Sequence, residues 1–246
     1  MDRLIYTAMT GANAAAMRQA VLSNNLANAS TTGFRAEMAT FRAVPVEGDG
    51  ASTRVFAHEA TAGYLDTPGS VQRTGRALDA MAKDNAWFAV QSLDGTEAYS
   101  RNGAIDVATD GTLINSNGLP MLSDGGAPLT APPGAEISLG TDGTVSVKQA
   151  GQPSTALGKL KLIRPTAEDP LKRGTDGLFR ATSGEPLNTD PLARLEPGAL
   201  EGSNVNAVET MVGMIQVARQ FEVQMRMLQN AEANDKSASQ LLASRA

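Results

Sequence analysis

The sequence predicts an α+β fold in which two amphipathic helices, one at each end, flank a central antiparallel β-rich domain. Three observations carry this prediction. Apolar residues recur at alternating steps of three and four from Asp2 to Asn28, and again from Ala207 to Leu228. Between these stretches the pattern changes to brief, partly alternating runs: "AWFAVQS", "EAYSR", "AIDVAT", "TLINS", "TVSVKQ" and "LGKLKLIR". The early runs are punctuated at intervals of seven or eight residues by Asp94-Gly95, Asn102-Gly103, Asp110-Gly111, Asn117-Gly118 and Asp124-Gly125, with Asp142-Gly143 and Asp176-Gly177 further on. Such pairs favour the positive φ angles of tight hairpin turns and describe an antiparallel meander. The predicted boundaries are a helix and loop over 1–34, a linker or extended segment over 35–69, the β-rich domain over 70–182, a second linker over 183–202 and the final helix over 203–246.

In the first helix the stripe is Ile5, Ala8, Ala12, Ala15, Leu22 and Leu26, with Gln19 as a polar break and Met9, Met17 and Val21 alongside. Small residues at its centre let another helix approach closely. Asn24, Asn25 and Asn28 then place amides on what reads as a packing surface. Buried amides hydrogen-bond a partner's backbone and fix register at some cost in stability; the alternative is a frayed, polar helix end with no partner. "STTG" stops the helix, with Gly33 supplying a left-handed turn and Phe34 an anchor beyond it. Weak strands are expected around 53–77. The Pro- and Gly-bearing segments "VPVEGDGAST" and "SGEPLNTDPLARLEPGALEG" read as linker or irregular strand. In the last helix the stripe is Ala207, Met211, Met214, Ala218, Phe221, Met225 and Leu228, interrupted by Glu232 and Asp235 before Leu241 and Leu242. Ser203 or Asn204 is the expected N-cap, with Asn206 competing. A lone helix of such composition is marginal in water. The first helix therefore needs the last one, together with other chains, and the ends are expected to order on assembly.

Composition narrows the function. With 246 residues, a net charge of -5 and no run of Lys or Arg, the chain lacks the clustered positive charge that nucleic acid or an anionic membrane surface requires. It has no Cys, hence neither disulfides nor thiolate metal sites. The opening residues have neither the basic n-region nor the apolar h-region of a Sec signal peptide, and no run of about 18 apolar residues predicts a membrane span. His58, the single imidazole, has no Cys partner and no nucleophile elbow near it. No phosphate-binding loop occurs, and no Asp-Gly pair has the spacing of a calcium loop. The expectation is no catalytic residue, no cofactor and no metal. One pattern points elsewhere: Glu97, Asp106 and Asp110 can converge in a meander as a carboxylate pair for glycan hydrolysis. Trp87-Phe88 in an apolar strand reads as core rather than as a sugar platform.

Three segments carry a resemblance. "LSNNLANASTTGFR", the "SNVNAV" entry with "ARQFE" near the C-terminus, and "RALDAMAKDNAWFAVQSLDGTEAYSRNGAIDVATDGTLINSNGLPML" in the middle resemble, in order, the signatures of the flagellar axial family, the rod and hook proteins of the bacterial flagellum. Within it, "MDRLIYTAM", "FRAVPVEG" and "DNAWFAV" look most like the proximal-rod members. "KDNAW" at Lys83 to Trp87 stands where many relatives have a Gly-rich turn, which favours that assignment over a distal-rod or hook subunit. The resemblance implies a structural, non-enzymatic subunit that polymerises through its terminal helices into the torque-transmitting shaft. Its place would be the periplasmic rod of the basal body, reached by the flagellar type III export apparatus without a cleaved signal peptide. Partners would be other rod proteins and itself. The assembly interface is then expected at Ile5, Ala8, Ala12, Ala15, Leu22, Asn24, Asn25, Leu26, Asn28, Gly33, Phe34, Met211, Met214, Ala218, Phe221, Met225 and Leu228. The alternative from a different class is a periplasmic glycan-binding or wall-cutting β-domain protein.

Overall fold

A computed structural model describes residues 2–45 and 55–243. Residues 46–54 of the expected first linker, and the side chains of His58, Leu241 and Leu242, lie outside the described residues. The chain forms two compact units, one from Met1–Ala29, Ala36–Leu65 and Val205–Ala246, the other from Ser30–Arg35 and Asp66–Asn204. No helix among the described residues is long and apolar enough to cross a membrane.

The first unit holds both helices. Helix α1 (Asp2–Ala27) is Ala-rich and correspondingly helix-favouring. It is followed by a long antiparallel hairpin, β1 (Glu37–Pro45) and β2 (Val55–Tyr64), in register from Glu37 opposite Tyr64 to Pro45 opposite Val55, with a bulge at Thr40/Phe41. Where the sequence predicted a linker with weak strands, a paired ribbon stands. Helix α2 (Ala207–Ala243) runs for 37 residues. Its N-cap is Asn206, whose side-chain oxygen accepts the backbone N–H groups of Val208 (3.1 Å) and Glu209 (3.2 Å). Ser203 and Asn204 precede the point at which a side chain can reach those donors. Asn204 instead donates its amide to the Thr67 carbonyl at 2.9 Å.

The second unit is built from short strands: β3 (Val71–Arg73), β4 (Ala80–Ala82), β5 (Trp87–Gln91), β6 (Glu97–Ser100), β7 (Ile105–Val107), β8 (Leu113–Asn115), β9 (Glu136–Leu139), β10 (Thr144–Lys148), β11 (Thr155–Lys159), β12 (Leu162–Ile163), β13 (Leu171–Arg173), β14 (Phe179–Ala181), β15 (Leu195–Pro197) and β16 (Ala199–Glu201). It is not a simple meander. Its largest sheet has the order β12-β5-β6-β14-β13, so the β5–β6 hairpin is extended on both sides by strands from much later in the chain. The three-stranded sheet β11-β10-β9 and the pairs β7–β8, β15–β4 and β16–β3 complete the unit, all antiparallel. The segment 183–202 is therefore not a linker over its whole length. Its Leu195–Pro197 and Ala199–Glu201 are β15 and β16, joined at Gly198, and they pair with β4 and β3. The core is apolar and continuous, with Phe88, Val90, Ile105, Leu113, Met121, Leu160 and Leu162 fully buried. Trp87 is also buried and meets the Phe179 ring at 4.6 Å, as its core reading requires.

One turn geometry recurs six times, at 92–96, 108–112, 115–119, 123–127, 140–144 and 174–178. The first residue donates its N–H to the fifth residue's carbonyl, and the fourth residue, always Gly, donates back to the first. Each of those glycines has a φ between 78° and 87°. This is the three-residue hairpin loop, in which the Gly at its end supplies the positive φ expected of the Asp-Gly and Asn-Gly turns. A two-residue type I′ turn would put the Asp at positive φ as well, and the one non-Gly residue at positive φ among the described residues is Asp84. Asp94, Asp110, Asp142 and Asp176 each accept the N–H two residues on, at 2.9–3.1 Å. Two predicted turns differ. Gly103 is not left-handed; a side chain there would fall 1.7 Å from the Ala80 carbonyl oxygen, so the position serves close backbone approach. In the 123–127 turn the left-handed residue is Gly126 rather than Gly125.

Candidate assembly surface

The two helices pack against each other within one chain. Ala8, Ala12 and Ala15 of α1 are buried, as their small size on the predicted stripe requires. An added methyl on Gly11 would touch the Gln224 side chain at 3.0 Å, and one on Gly213 would touch Leu22 at 3.4 Å. Eleven residues forward on α1 thus correspond to eleven backward on α2, which makes the pair antiparallel. Ile5, Leu22 and Leu26 are half-buried along the same stripe.

On α2 the predicted stripe splits. Thr210, Val217 and Ala231 are buried and Met214 and Leu228 half-buried, a face displaced from the one read in the sequence. Met211 (51% exposed), Ala218, Phe221 and Met225 are exposed. The reason is that α2 carries two apolar faces. Val208, Met211, Ile215 and Ala218 repeat at steps of three and four just as the buried set does, so periodicity alone selects neither. Val208 is 72% and Ile215 56% exposed, and α1 adds exposed Tyr6, Met9 and Met17 to the same unit.

Within one chain the asparagines face the hairpin that follows α1 rather than a frayed, unpartnered helix end. Asn25, buried, donates its amide to the Glu37 carbonyl at 2.9 Å and accepts the Glu37 N–H at 2.8 Å. It thereby satisfies both backbone groups of the residue that starts β1, in the way a neighbouring strand would. Asn24 donates to the Glu37 carboxylate at 2.9 Å, and Asn28 donates back to Asn24. Polar side chains sit on this face because the chain's own hairpin begins there.

Gly33 and Phe34 belong to the second unit. Gly33 has φ 69°, donates to the Glu201 carbonyl at 2.7 Å, and lies so close to Arg101 that an added methyl would fall 2.4 Å from its carbonyl carbon. Phe34 is buried with the Arg173 guanidinium 4.7 Å over its ring. Next to them stands a buried charge cluster that no periodicity announced. Glu201 is bound by Arg35 at 2.6 Å and by Arg101 at 2.5 Å, and all three are almost fully buried. Gly69 donates its N–H to the Glu201 carboxylate at 2.9 Å, while Arg101 also donates to the carbonyls of Ala82, Asp84 and Ala86. Both guanidinium groups lie within 5.8 Å of the Trp87 ring. Burial pulls the Arg101 pKa down, and the Glu201 charge opposes it. The three residues lie in "GFR", "YSR" and "LEG", but ion partners 100 and more residues apart leave no local signal.

The carboxylates considered for hydrolysis each have a separate partner. Glu97 is bound by Lys161 at 2.7 Å and accepts the Tyr99 hydroxyl at 2.8 Å. Asp106 pairs with Arg76 at 3.1 Å, and Asp110 accepts the Thr112 N–H.

Three stretches of the chain match known families. Residues 5–35 match "Flagella basal body rod protein", residues 83–147 "Flagellar hook protein FlgE/F/G D1 domain", and residues 196–241 "Flagellar basal body rod FlgEFG protein C-terminal". The chain is 45% identical to "Flagellar basal-body rod protein FlgF" of Escherichia coli, covering 98% of this chain and 99% of the relative. It is 43% identical, over the same shares, to the protein of that name in Salmonella typhimurium. It belongs to the flagellar basal-body rod protein family. Identity to "Flagellar basal-body rod protein FlgG" of Buchnera aphidicola is lower, 28% over 96% of this chain, so the chain is more similar to these relatives named FlgF. As a FlgF-like rod protein the chain is a structural component of the flagellar rod. Each of the three family-matching stretches supplies one member of the buried cluster: Arg35, Arg101 and Glu201.

Proposed function

We propose that this chain is a subunit of the proximal rod that joins its neighbours through the helix-pair unit and transmits torque through those contacts. The observation that carries the reading is the second apolar face of α2, Val208, Met211, Ile215 and Ala218, left exposed once α1 covers the first. A neighbouring helix that buried these side chains would gain about 1.5–3 kcal/mol for each large one. Contacts of this head-to-tail kind do not close and so generate a helical array. The interface then comprises Met211, Ala218, Phe221 and Met225 of the residues expected from sequence, with Val208 and Ile215 added. Ile5, Ala8, Ala12, Ala15, Leu22 and Leu26 support it by holding α1 against α2. Partners are other rod subunits and further copies of this chain. The route is export by the flagellar type III apparatus into the periplasm, and the role is structural rather than catalytic. Deletion in a motile host tests this: loss of the rod with inner basal structures retained is expected. Normal motility without the protein would overturn it.

A further inference from the structure

The six recurrent turns contain five Asp-Gly pairs, and one of the five is out of step. In the turns of Asp94, Asp110, Asp142 and Asp176, the Asp is the third residue and its Gly the fourth. The Gly N–H is donated to the carbonyl of the turn's first residue, at 2.9–3.2 Å, and the Asp carboxylate is held by the N–H two residues on. In the turn 123–127 the pair comes one residue early. Gly126 takes the left-handed place and makes the bond to Ser123, while the Gly125 N–H and the Asp124 carboxylate make no hydrogen bond among the described residues. Both residues are exposed.

We propose that Asp124 is a site of spontaneous backbone isomerisation through a succinimide. The Gly125 amide nitrogen, having lost its proton to solvent, attacks the Asp124 side-chain carbon; a C–N bond forms and the carboxyl oxygen leaves as water. Water then adds to either ring carbonyl, regenerating aspartate or leaving isoaspartate, in which the main chain runs through the side-chain carbon. One water is lost and one regained, with no oxidant or reductant. Attack needs a nitrogen free to ionise and a carboxyl free to turn toward it. The four in-step turns bind both groups, so each must first break at least two hydrogen bonds, and Asp124 breaks none. Gly125 also has no side chain to hinder the approach. Asp49-Gly50 lies outside the described residues. The Asn-Gly pairs are set apart by release of ammonia with a change in mass.

The test incubates the folded full-length protein at physiological temperature. Isoaspartate is read by enzymatic methylation of its free carboxyl and located by peptide mapping with electron-transfer fragmentation. Asp124 is expected to convert several-fold faster than Asp94, Asp110, Asp142 and Asp176, and the difference should vanish in the denatured chain. Gly125→Ala should slow conversion several-fold without unfolding the protein, because the added methyl meets nothing nearer than the Ser123 hydroxyl at 3.7 Å and φ is not left-handed. Equal rates at the five sites in the folded protein would overturn the proposal, as would the same bias in denatured chain or an unchanged rate in Gly125→Ala.

Discussion

Glu201 stands between two guanidinium groups with almost no access to water, and its value to the fold lies mainly in what its removal would leave behind. A buried ion pair adds little net stability over an apolar replacement, but a buried charge stripped of its partner is costly. Glu201→Ala would leave both Arg35 and Arg101 buried without a carboxylate and free the Gly69 N–H. The expected loss is about 3–5 kcal/mol, read as a lower urea midpoint. Arg35→Met, which keeps a one-to-one Arg101–Glu201 pair, is expected to cost less. A smaller loss for Glu201→Ala than for Arg35→Met would show that charge balance is not what the cluster supplies. Asp84 shows another residue-scale effect. At φ 52° it occupies a conformation that favours Gly, within the segment "KDNAW". Its carbonyl is held by Arg101 at 3.0 Å, so the buried cluster helps support the less favourable backbone.

At the scale of elements, α2 separates two roles that one apolar period cannot distinguish. Leu22 packs on Gly213, so Leu22→Asp attacks the helix pair itself and should lower helicity in the free subunit by circular dichroism. Phe221 is 39% exposed, so Phe221→Asp should leave helicity and thermal midpoint of the free subunit nearly unchanged while blocking its incorporation into rods. Equal damage to the free subunit by both substitutions would remove Phe221 from the interface. The hairpin β1–β2 depends on a neighbouring element, because an isolated two-stranded ribbon is marginal in water. Asn25 supplies part of that support by bonding both backbone groups of Glu37.

For the whole molecule, acid provides a measurable sum of many small terms. Asp94, Asp142 and Asp169 are held below their ordinary pKa first by a neighbouring hydroxyl, Asp110 by the Thr112 backbone, and Asp176 by Arg180. The folded chain therefore binds protons less readily than the unfolded chain, so this contribution is complete above the ordinary carboxyl value of 3.8 and is lost as pH falls through the lowered folded values. A urea midpoint that is flat above about pH 5 and falls below the ordinary value is expected, with a shallower fall in Asp142→Asn, whose amide oxygen can still accept the Thr144 N–H. A midpoint that rose on acidification would contradict the sign. The chain passes between its two units at residues 29/30, 35/36, 65/66 and 204/205, so a fragment confined to 70–182 lacks Arg35 and Glu201 and leaves Arg101 buried without its counter-charge.

The α+β class, both helices, the left-handed Gly33, the buried Trp87-Phe88 and most of the turn positions could be read from the sequence, because each rests on short-range chemistry: a period of 3.6, a cap, or a Gly that tolerates positive φ. The tertiary structure decided which of α2's two apolar faces α1 covers, that Asn25 serves the hairpin, that 195–201 completes two sheets, and that Arg35, Arg101 and Glu201 meet. Those outcomes turn on residues far apart in the chain competing for the same buried surface or the same counter-charge, and a local pattern records only that such a surface exists, not which distant segment fills it.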